Sequence, residues 1–309
     1  MTPRDWWARR AVCAKALMAE SFRQGMGRPD GVERRLASAL GDLLARPGSL
    51  VRAVAAYLVG IEMGMAEAAA RAVGCGIEYL HTASLVFDDL PAMDDARTRR
   101  GMPALHVLHG EGLAILAALA MVNRGYSLLW QGISEAPAER RIEAGDWVDR
   151  CLGATGMIGG QSHDIGGWRE GQTAADVSEV AARKTGDLLR LTLVLPAVLG
   201  RGREREIRML DRLALLRGLA YQAADDVKDV VGGAGKTAGR DEAMGRPNLV
   251  AAEGIQEAVI RLRRLIEVGD RVQAKLPGPV ERWGMLDALR VGVPAGADGL
   301  ELSLGSAAV

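Results

Sequence analysis

The sequence predicts an all-α protein, and three observations support this prediction. Apolar residues recur with helical spacing along almost the whole chain. Alanine and leucine, two good helix formers, dominate the composition, whereas aromatic residues make up only 4% of it. The alternation of apolar and polar residues that is typical of half-buried strands is nowhere convincing. We therefore expect a helical bundle.

Turn signals rich in glycine and proline divide the chain into successive helices. The predicted helices are 5–24, 31–46, 50–71, 74–89, 110–132, 138–153, 155–166, 174–200, 203–230, 247–275 and 279–291. Residues 74–87 and 213–224 are apolar on most faces, which places them centrally. Because no Pro/Gly/Ser-rich linker divides the chain, we expect one domain over residues 1–309, with a flexible tail at 294–309.

The bulk composition is that of an ordinary globular protein, with 309 residues, 49% hydrophobic, 25% charged and a formal net charge of zero. Zero net charge argues against nucleic acid or an anionic membrane as a partner. The first ten residues lack the apolar core of a signal peptide, and the apolar run 114–122 is too short to span a membrane. The three cysteines share no C-x-x-C spacing and fit reduced, buried thiols. From these observations together we expect a cytoplasmic protein without a membrane span.

Two clusters of aspartates are the most informative feature of the chain. The first consists of Asp88, Asp89, Asp94 and Asp95, and the second of Asp225, Asp226 and Asp229. Each lies in or at the end of an apolar helical stretch, where carboxylates are costly to bury unless cations pair with them. Oxygen ligands without histidine or cysteine suit Mg²⁺, which is often shared with substrate phosphates. The plainer interpretation, solvated helix ends, explains one Asp-Asp pair better than it explains two clusters.

Basic residues accompany both clusters. They are Arg97, Arg99 and Arg100 after the first cluster, and Lys228 and Lys236 in and after the second. They could balance charge on a surface, but guanidinium groups bind phosphate oxygens in a bidentate fork, which favours a phosphate clamp. Lys184-Thr185, Gln222 and His81 would each, taken alone, more often be structural.

Taken together and in order, these residues resemble the trans-isoprenyl diphosphate synthases, especially the bacterial and plant geranylgeranyl and farnesyl diphosphate synthases. Residues 81–95 resemble the family's first aspartate-rich motif, D-D-x-x-x-x-D, and Arg99-Arg100-Gly101-Met102-Pro103 continues it. Gly159-Gly160-Gln161 is similar to the family's G-G-Q, and residues 184–188 to its K-T-G-x-L. Residues 221–229 are similar to the second motif, F-Q-x-x-D-D-x-x-D, and Gly235-Lys236 resembles the Gly-Lys that follows it.

This resemblance implies an all-α fold around a central cavity, and a homodimer. It implies that three Mg²⁺ ions bind an allylic diphosphate and promote its ionisation, after which isopentenyl diphosphate attacks the allylic cation and a proton is lost. By position, the residues that serve the metals are Asp88, Asp89, Asp94, Asp225, Asp226 and Asp229. The allylic diphosphate would be held by Arg99, Lys184 and Lys236, and isopentenyl diphosphate by Arg52, His81 and Arg100. Thr185 and Gln222 would face the reacting carbons and, with Lys184, form the catalytic group.

The chain departs from the family pattern at the isopentenyl diphosphate site. The family's G-G-K-R-x-R-P corresponds to residues 47–53, where Ser49 replaces the lysine, Leu50 replaces the first arginine and only Arg52 remains. Losing one charge-assisted contact costs about 1.5–3 kcal/mol. We therefore expect a high Michaelis constant for isopentenyl diphosphate rather than no activity. Two alternatives stay open: a terpene synthase that acts on a prenyl diphosphate without isopentenyl diphosphate, and a modulatory subunit of a synthase.

The helix that ends at Asp88-Asp89 also predicts the product length. One helical turn rises about 5.4 Å, close to one extended isoprene unit. Ala83 and Ser84, one turn before the aspartates, are small, so a growing prenyl tail should pass them. Tyr79 and Leu80, about another turn deeper, are bulkier and are expected to limit growth. The sequence therefore favours a C20 product, geranylgeranyl diphosphate.

Overall fold

The computed structural model describes residues 3–27, 31–169, 171–231, 245–295 and 297, and it confirms the all-α prediction. The helices are α1 (Pro3–Gln24), α2 (Arg34–Ala45), α3 (Val51–Glu62), α4 (Glu67–Asp88), α5 (Leu105–His109), α6 (Glu111–Ser134), α7 (Ala138–Leu152), α8 (Met157–Ile165), α9 (Ala174–Ala181), α10 (Asp187–Leu199), α11 (Glu204–Val231), α12 (Leu249–Glu253) and α13 (Ile255–Ala274). A π-helical turn, Ala182–Gly186, joins α9 to α10, and a 3₁₀ helix covers Val280–Leu289. Two short antiparallel strands, β1 (Thr98–Arg99) and β2 (Met102–Pro103), form a hairpin.

The chain divides into two compact units. Unit 1 comprises Met1–Trp147, Leu191–Ile207 and Gly278–Ala288, and unit 2 comprises Val148–Arg190, Arg208–Pro277 and Leu289–Val309. The first aspartate cluster belongs to unit 1 and the second to unit 2. The single domain over residues 1–309 stays a prediction.

In unit 1, α4 is held against α6 by close helix packing. A Cβ added to Gly76 would lie 2.9 Å from the carbonyl oxygen of Gly125, and one on Gly132 would lie 3.1 Å from that of Ala69. Only glycine lets the two backbones approach so closely. Buried apolar residues such as Met121 fill the surrounding core. This packing fixes the helix that ends at the first aspartate cluster.

In unit 2, α11 lies in an apolar cluster that also contains α13. Ala220, Ala223 and Val227 of α11 are buried together with Val259 and Leu262 of α13. The prediction that residues 213–224 lie centrally therefore holds for Ala220 and Ala223, which belong to this core. These residues lead directly into the second aspartate cluster and anchor it.

Several predicted helix boundaries are wrong. The predicted helix 50–71 ends at Glu62, where Gly64 adopts a φ of +82°, and α4 then runs without a break through residues 72 and 73. Gly254, with a φ of +85°, interrupts the predicted helix 247–275. The short helix α5 and the β1–β2 hairpin were not predicted, since five-residue and two-residue elements carry almost no periodicity.

The expectation that all three cysteines are buried also needs correction. Cys13 is exposed, whereas Cys75 and Cys151 are buried as predicted. Helix α6, of which 114–122 is only a part, is long and apolar enough to cross a membrane by length and composition. Four of its residues, Ala114, Ala117, Ala118 and Met121, are fully buried in the core of unit 1.

Candidate active site

The first aspartate cluster sits where α4 ends. Pro91 bends the chain as predicted, and the Asp94 N–H donates a hydrogen bond of 2.9 Å to the carbonyl oxygen of Asp88. The turn therefore brings Asp94 back beside Asp88. Both side chains are partly exposed, whereas Asp89 is only 4% exposed. Asp88 and Asp94 thus present the accessible carboxylates of this turn.

Asp89 is engaged by Arg99 of β1. Arg99 Nε lies 2.8 Å from both carboxylate oxygens of Asp89, and Nη2 lies 2.6 Å from Oδ1. A buried carboxylate with a guanidinium on both oxygens is charge-compensated without a metal. The predicted metal residue Asp89 and the predicted diphosphate residue Arg99 therefore bind each other in this structure.

The residues predicted to hold isopentenyl diphosphate form a second group in unit 1. Arg52, the second residue of α3, donates from Nη1 to His81 Nε2 at 3.2 Å. The guanidinium of Arg100 packs so closely on Gly48 that a Cβ there would overlap it. Ser49 is exposed, and Leu50 is buried with a φ of 57°. The structure thus brings Arg52, His81 and Arg100 to the loop that lacks the family's basic residues.

His81 is neutral in this group. Burial, followed by the charges of Arg52, Arg100 and Arg99, lowers the pKa of His81 well below its usual value. Arginine only donates hydrogen bonds, so Nε2 of His81 must accept the bond from Arg52, which leaves Nδ1 to carry the ring proton. A neutral imidazole that donates from Nδ1 can still bind a phosphate oxygen.

Acid should destabilise the protein through His81. A histidine whose pKa is lowered by folding binds a proton only in the unfolded state once the pH falls below about 6.5. The stability present above that pH is then lost by up to about 1.4 kcal/mol per pH unit. We expect His81→Gln, which keeps an acceptor for Arg52, to lose less stability than the wild type between pH 7 and pH 5, as measured by urea unfolding. Parallel losses in the two proteins would contradict a neutral His81.

The second aspartate cluster lies near the end of α11. Asp225 is partly exposed, whereas Asp226 and Asp229 are 1% and 4% exposed. Asp226 Oδ1 accepts a hydrogen bond of 2.8 Å from the Gln222 side-chain amide, and Oδ2 accepts one of 2.8 Å from the Leu249 N–H. Both oxygens of Asp226 are therefore used inside unit 2, and Asp225 offers the more accessible carboxylate.

The π-helical turn presents the K-T-G residues. The Thr185 hydroxyl donates to Gln222 Oε1 at 3.2 Å, so Thr185, Gln222 and Asp226 form one chain of hydrogen bonds. Single π-helical turns inside helices often occur at functional sites. The three predicted residues are thus brought together by α11 and the π-helical turn between α9 and α10.

Lys184 has a partner that the sequence did not reveal. Its Nζ lies 2.6 Å from Oδ2 of Asp164, which is 7% exposed on α8, and Arg246 Nη1 lies 3.7 Å from the same oxygen. Gly160 lets α8 approach, because a Cβ there would overlap the backbone N of Lys184. Asp164 follows the G-G-Q residues by about one helical turn. Its position there was the only hint in the sequence that it could be the partner of Lys184.

Lys236, predicted to hold the allylic diphosphate, lies outside the described residues. Within the described ranges, no three His, Cys, Asp or Glu side chains already converge as a closed metal site. The donor chemistry nevertheless fits Mg²⁺, because the predicted ligands offer only carboxylate oxygens and Asp88, Asp94 and Asp225 are partly exposed. Such open sites leave room for water and phosphate oxygens.

The chain matches the family model described as polyprenyl synthetase over residues 33–276. It is 36% identical over 232 residues to geranylgeranyl pyrophosphate synthase 3, chloroplastic, of Arabidopsis thaliana, covering 71% of this chain and 64% of that protein. It is 36% identical over 217 residues to geranylgeranyl pyrophosphate synthase 9, chloroplastic, of the same plant, covering 66% and 60%. The match thus spans less than two thirds of the length of these relatives.

Solved structures share the fold. An FPP/GFPP synthase from Zymomonas mobilis superposes with a TM-score of 0.76 at 21% identity, covering 92% of this chain and 98% of that one. A geranyltransferase from Helicobacter pylori, complexed with magnesium and isoprenyl diphosphate, gives a TM-score of 0.76 at 23% identity, covering 90% and 96%.

Proposed function

Because the chain belongs to the polyprenyl synthetase family, we propose that it is a Mg²⁺-dependent prenyltransferase that condenses isopentenyl diphosphate with an allylic diphosphate. The proposed product is geranylgeranyl diphosphate. The observation that carries this proposal is the group formed by Arg52, His81 and Arg100. An enzyme that only ionises one prenyl diphosphate has no use for a second cationic site. A non-catalytic subunit would not need both aspartate clusters.

Each group of residues has a distinct task in this reaction. The chemistry that Mg²⁺ would supply when bound is charge neutralisation of the diphosphate, which would favour its departure from the allylic carbon. Asp88, Asp94 and Asp225, which are partly exposed, would hold the metals directly, and the buried Asp89, Asp226 and Asp229 would support them. We propose three ions when diphosphate is bound.

The remaining side chains bind and orient the substrates. The cations Arg99, Lys184 and Lys236 hold the allylic diphosphate, to which Arg99 and Lys184 offer the N–H donors that Asp89 and Asp164 leave available. Thr185 and Gln222 direct fixed dipoles at the allylic cation, since the hydrogen bonds to Asp226 and between the two side chains lock their orientation. Arg52, His81 and Arg100 hold isopentenyl diphosphate so that its double bond can attack.

The proposal is tested by comparing substrates. The purified protein is incubated with Mg²⁺ and farnesyl diphosphate, with and without isopentenyl diphosphate, and the products are dephosphorylated and identified by mass spectrometry. We expect geranylgeraniol only when isopentenyl diphosphate is present. A cyclised or hydrolysed C15 product that forms equally without it would instead support the terpene synthase. No product under any condition would support a modulatory subunit.

Ser49→Lys should strengthen the second-substrate site. Ser49 is exposed next to Gly48, on which the Arg100 guanidinium packs, so a lysine there can add a charge-assisted contact to the diphosphate. We expect the Michaelis constant for isopentenyl diphosphate to fall roughly tenfold or more, with that for the allylic substrate unchanged. Ser49→Gln, which adds length without charge, is the matched control. An equal change for both substrates would count against this placement.

The homodimer and the cytoplasmic location remain part of the proposal. One face of α6 exposes an apolar stripe consisting of Ile115, Leu119, Tyr126 and Trp130, which are 37–64% exposed. Residues four and seven positions apart share a helix face. We propose that a second copy of the chain covers this stripe.

Leu119→Glu should convert the dimer to a monomer, because it places a charge in the middle of the stripe. Size-exclusion chromatography with light scattering measures the mass directly. Ile142→Glu is the matched control, since Ile142 is 72% exposed on α7 outside the stripe. A wild-type monomer, or equal behaviour of the two variants, would contradict the dimer.

A further inference from the structure

A buried glutamate in unit 1 lies beside the isopentenyl diphosphate residues but has no part in the reaction described above. Glu78 precedes His81 by three residues on α4, and only 3% of its surface is exposed. Its Oε2 accepts a hydrogen bond of 3.2 Å from the backbone N–H of Ala53. A carboxylate is costly to bury unless hydrogen bonds and cations compensate. The sequence offered one signal, an acidic residue inside an otherwise apolar helix.

The bond to Ala53 ties Glu78 to the start of α3. This helix begins at Val51, and the preceding residue, Leu50, makes no capping hydrogen bond with its side chain. The first N–H groups of a helix lack partners within the helix, and a carboxylate is favourable at this end. Glu78 therefore caps α3 from a neighbouring helix. It thereby fixes the turn that carries Arg52.

Two arginines supply the compensating charge. Burial raises the pKa of Glu78, while the charge of Arg52, the hydrogen bond from Ala53 and the charge of Arg100 oppose the rise. Arg52 also donates to His81, and Arg100 packs on Gly48. Residues 47–51 contribute no cation of their own, so these two guanidinium groups carry the positive charge of this loop.

We propose that Glu78 is a positioning residue for isopentenyl diphosphate, because it fixes the first turn of α3 and aligns Arg52 and Arg100 to receive the diphosphate together. This inference rests on the proposed function of the same site. Glu78 does not touch the substrate and acts through the arginines. Two pre-aligned guanidinium groups bind phosphate oxygens with little loss of side-chain freedom, which compensates for the missing basic residues at positions 49 and 50.

The charge of Glu78 alone would have the opposite effect. A carboxylate near a diphosphate repels it, so a purely electrostatic role predicts tighter binding when the charge is removed. Positioning predicts weaker binding, because Arg52 and Arg100 lose their alignment. The sign of the change in affinity therefore distinguishes the two roles.

Titration calorimetry of isopentenyl diphosphate into the full chain, in the presence of a chelator, measures this affinity directly, since a site made of arginines and a histidine needs no metal. We expect Glu78→Ala to weaken binding about tenfold or more. Glu78→Gln keeps an acceptor for Ala53 and should weaken binding less. Glu206→Gln is the matched control, because Glu206 is also buried in unit 1, accepts from the Arg203 N–H and pairs with Arg282 at 2.9 Å.

Each outcome bears on the proposal. If Glu78→Ala does not fold, Glu78→Gln decides, and unchanged or tighter binding by this variant overturns the proposal. An equal loss in Glu206→Gln also overturns it, since this would be general loosening. In steady-state assays the Michaelis constant for isopentenyl diphosphate should rise while that for the allylic substrate does not. If the wild type binds isopentenyl diphosphate but does not elongate the prenyl chain, the proposed function is refuted and the role of Glu78 stands. If the wild type does not bind isopentenyl diphosphate, the role of Glu78 is overturned.

Discussion

Replacing Asp88 of the first cluster or Asp225 of the second should abolish turnover almost completely. We expect Asp88→Ala and Asp225→Ala each to lower kcat by several orders of magnitude, because each removes a carboxylate that we propose as a ligand of Mg²⁺ at the leaving diphosphate. Both side chains are partly exposed, so their loss leaves the cores of the two units intact. The measurement is steady-state formation of prenyl product at saturating Mg²⁺.

Asp95 provides the matched control for this prediction. It lies in the same turn, is exposed, and adopts a φ of 44°, which asparagine tolerates well. Asp95→Asn should therefore keep wild-type turnover. Activity should also vanish with a chelator and return with Mg²⁺. Near-normal turnover of Asp88→Ala or Asp225→Ala would mean that the metal site has been placed on the wrong residues.

Ala83→Tyr should change the product from C20 to C15. Ala83 is buried on α4, one turn before the aspartates, and a tyrosine there would fill the path of the growing tail. Tyr79, the barrier that the sequence predicts one turn deeper, is held in place, since its hydroxyl donates to the Phe22 carbonyl oxygen at 2.6 Å and its ring meets that of Phe22 edge-on. Leu80 is confined in the same way, because it packs directly on Gly125 of α6.

Product analysis after incubation with geranyl diphosphate and isopentenyl diphosphate measures this change. Overpacking a core costs about 1–3 kcal/mol, so thermal unfolding of the variant must show that it remains folded. Ser84→Tyr, at a partly exposed position beside Ala83, is the second variant. If the wild type already stops at C15, or if both folded variants still form C20, the barrier lies elsewhere.

The features that could be predicted from the sequence are those encoded locally. The apolar helix before Asp88, the bend at Pro91 and the return of Asp94 all follow from neighbouring residues. The side-chain partners could not be predicted, because they join distant positions: Asp164 with Lys184, Glu78 with the start of α3, and Asp226 with the N–H of Leu249. Only the fold brings these segments together.

The main error in the predicted helix boundaries concerns glycine, because the role of a glycine also depends on contacts with residues that are distant in the sequence. Gly64 ends a helix with a positive φ, whereas Gly74 lies inside α4, where a Cβ would come within 2.7 Å of the Ala53 carbonyl oxygen. One glycine serves the backbone conformation and the other serves helix packing. Their sequence contexts do not distinguish these roles.

The central claim is that the chain joins isopentenyl diphosphate to an allylic diphosphate, and isotope labelling tests it most directly. Uniformly ¹³C-labelled isopentenyl diphosphate is supplied with unlabelled farnesyl diphosphate and Mg²⁺, and the mass of the dephosphorylated product is measured. We expect a C20 alcohol in which one complete five-carbon unit is labelled. A product that contains no label, whether cyclised or hydrolysed, would contradict the claim.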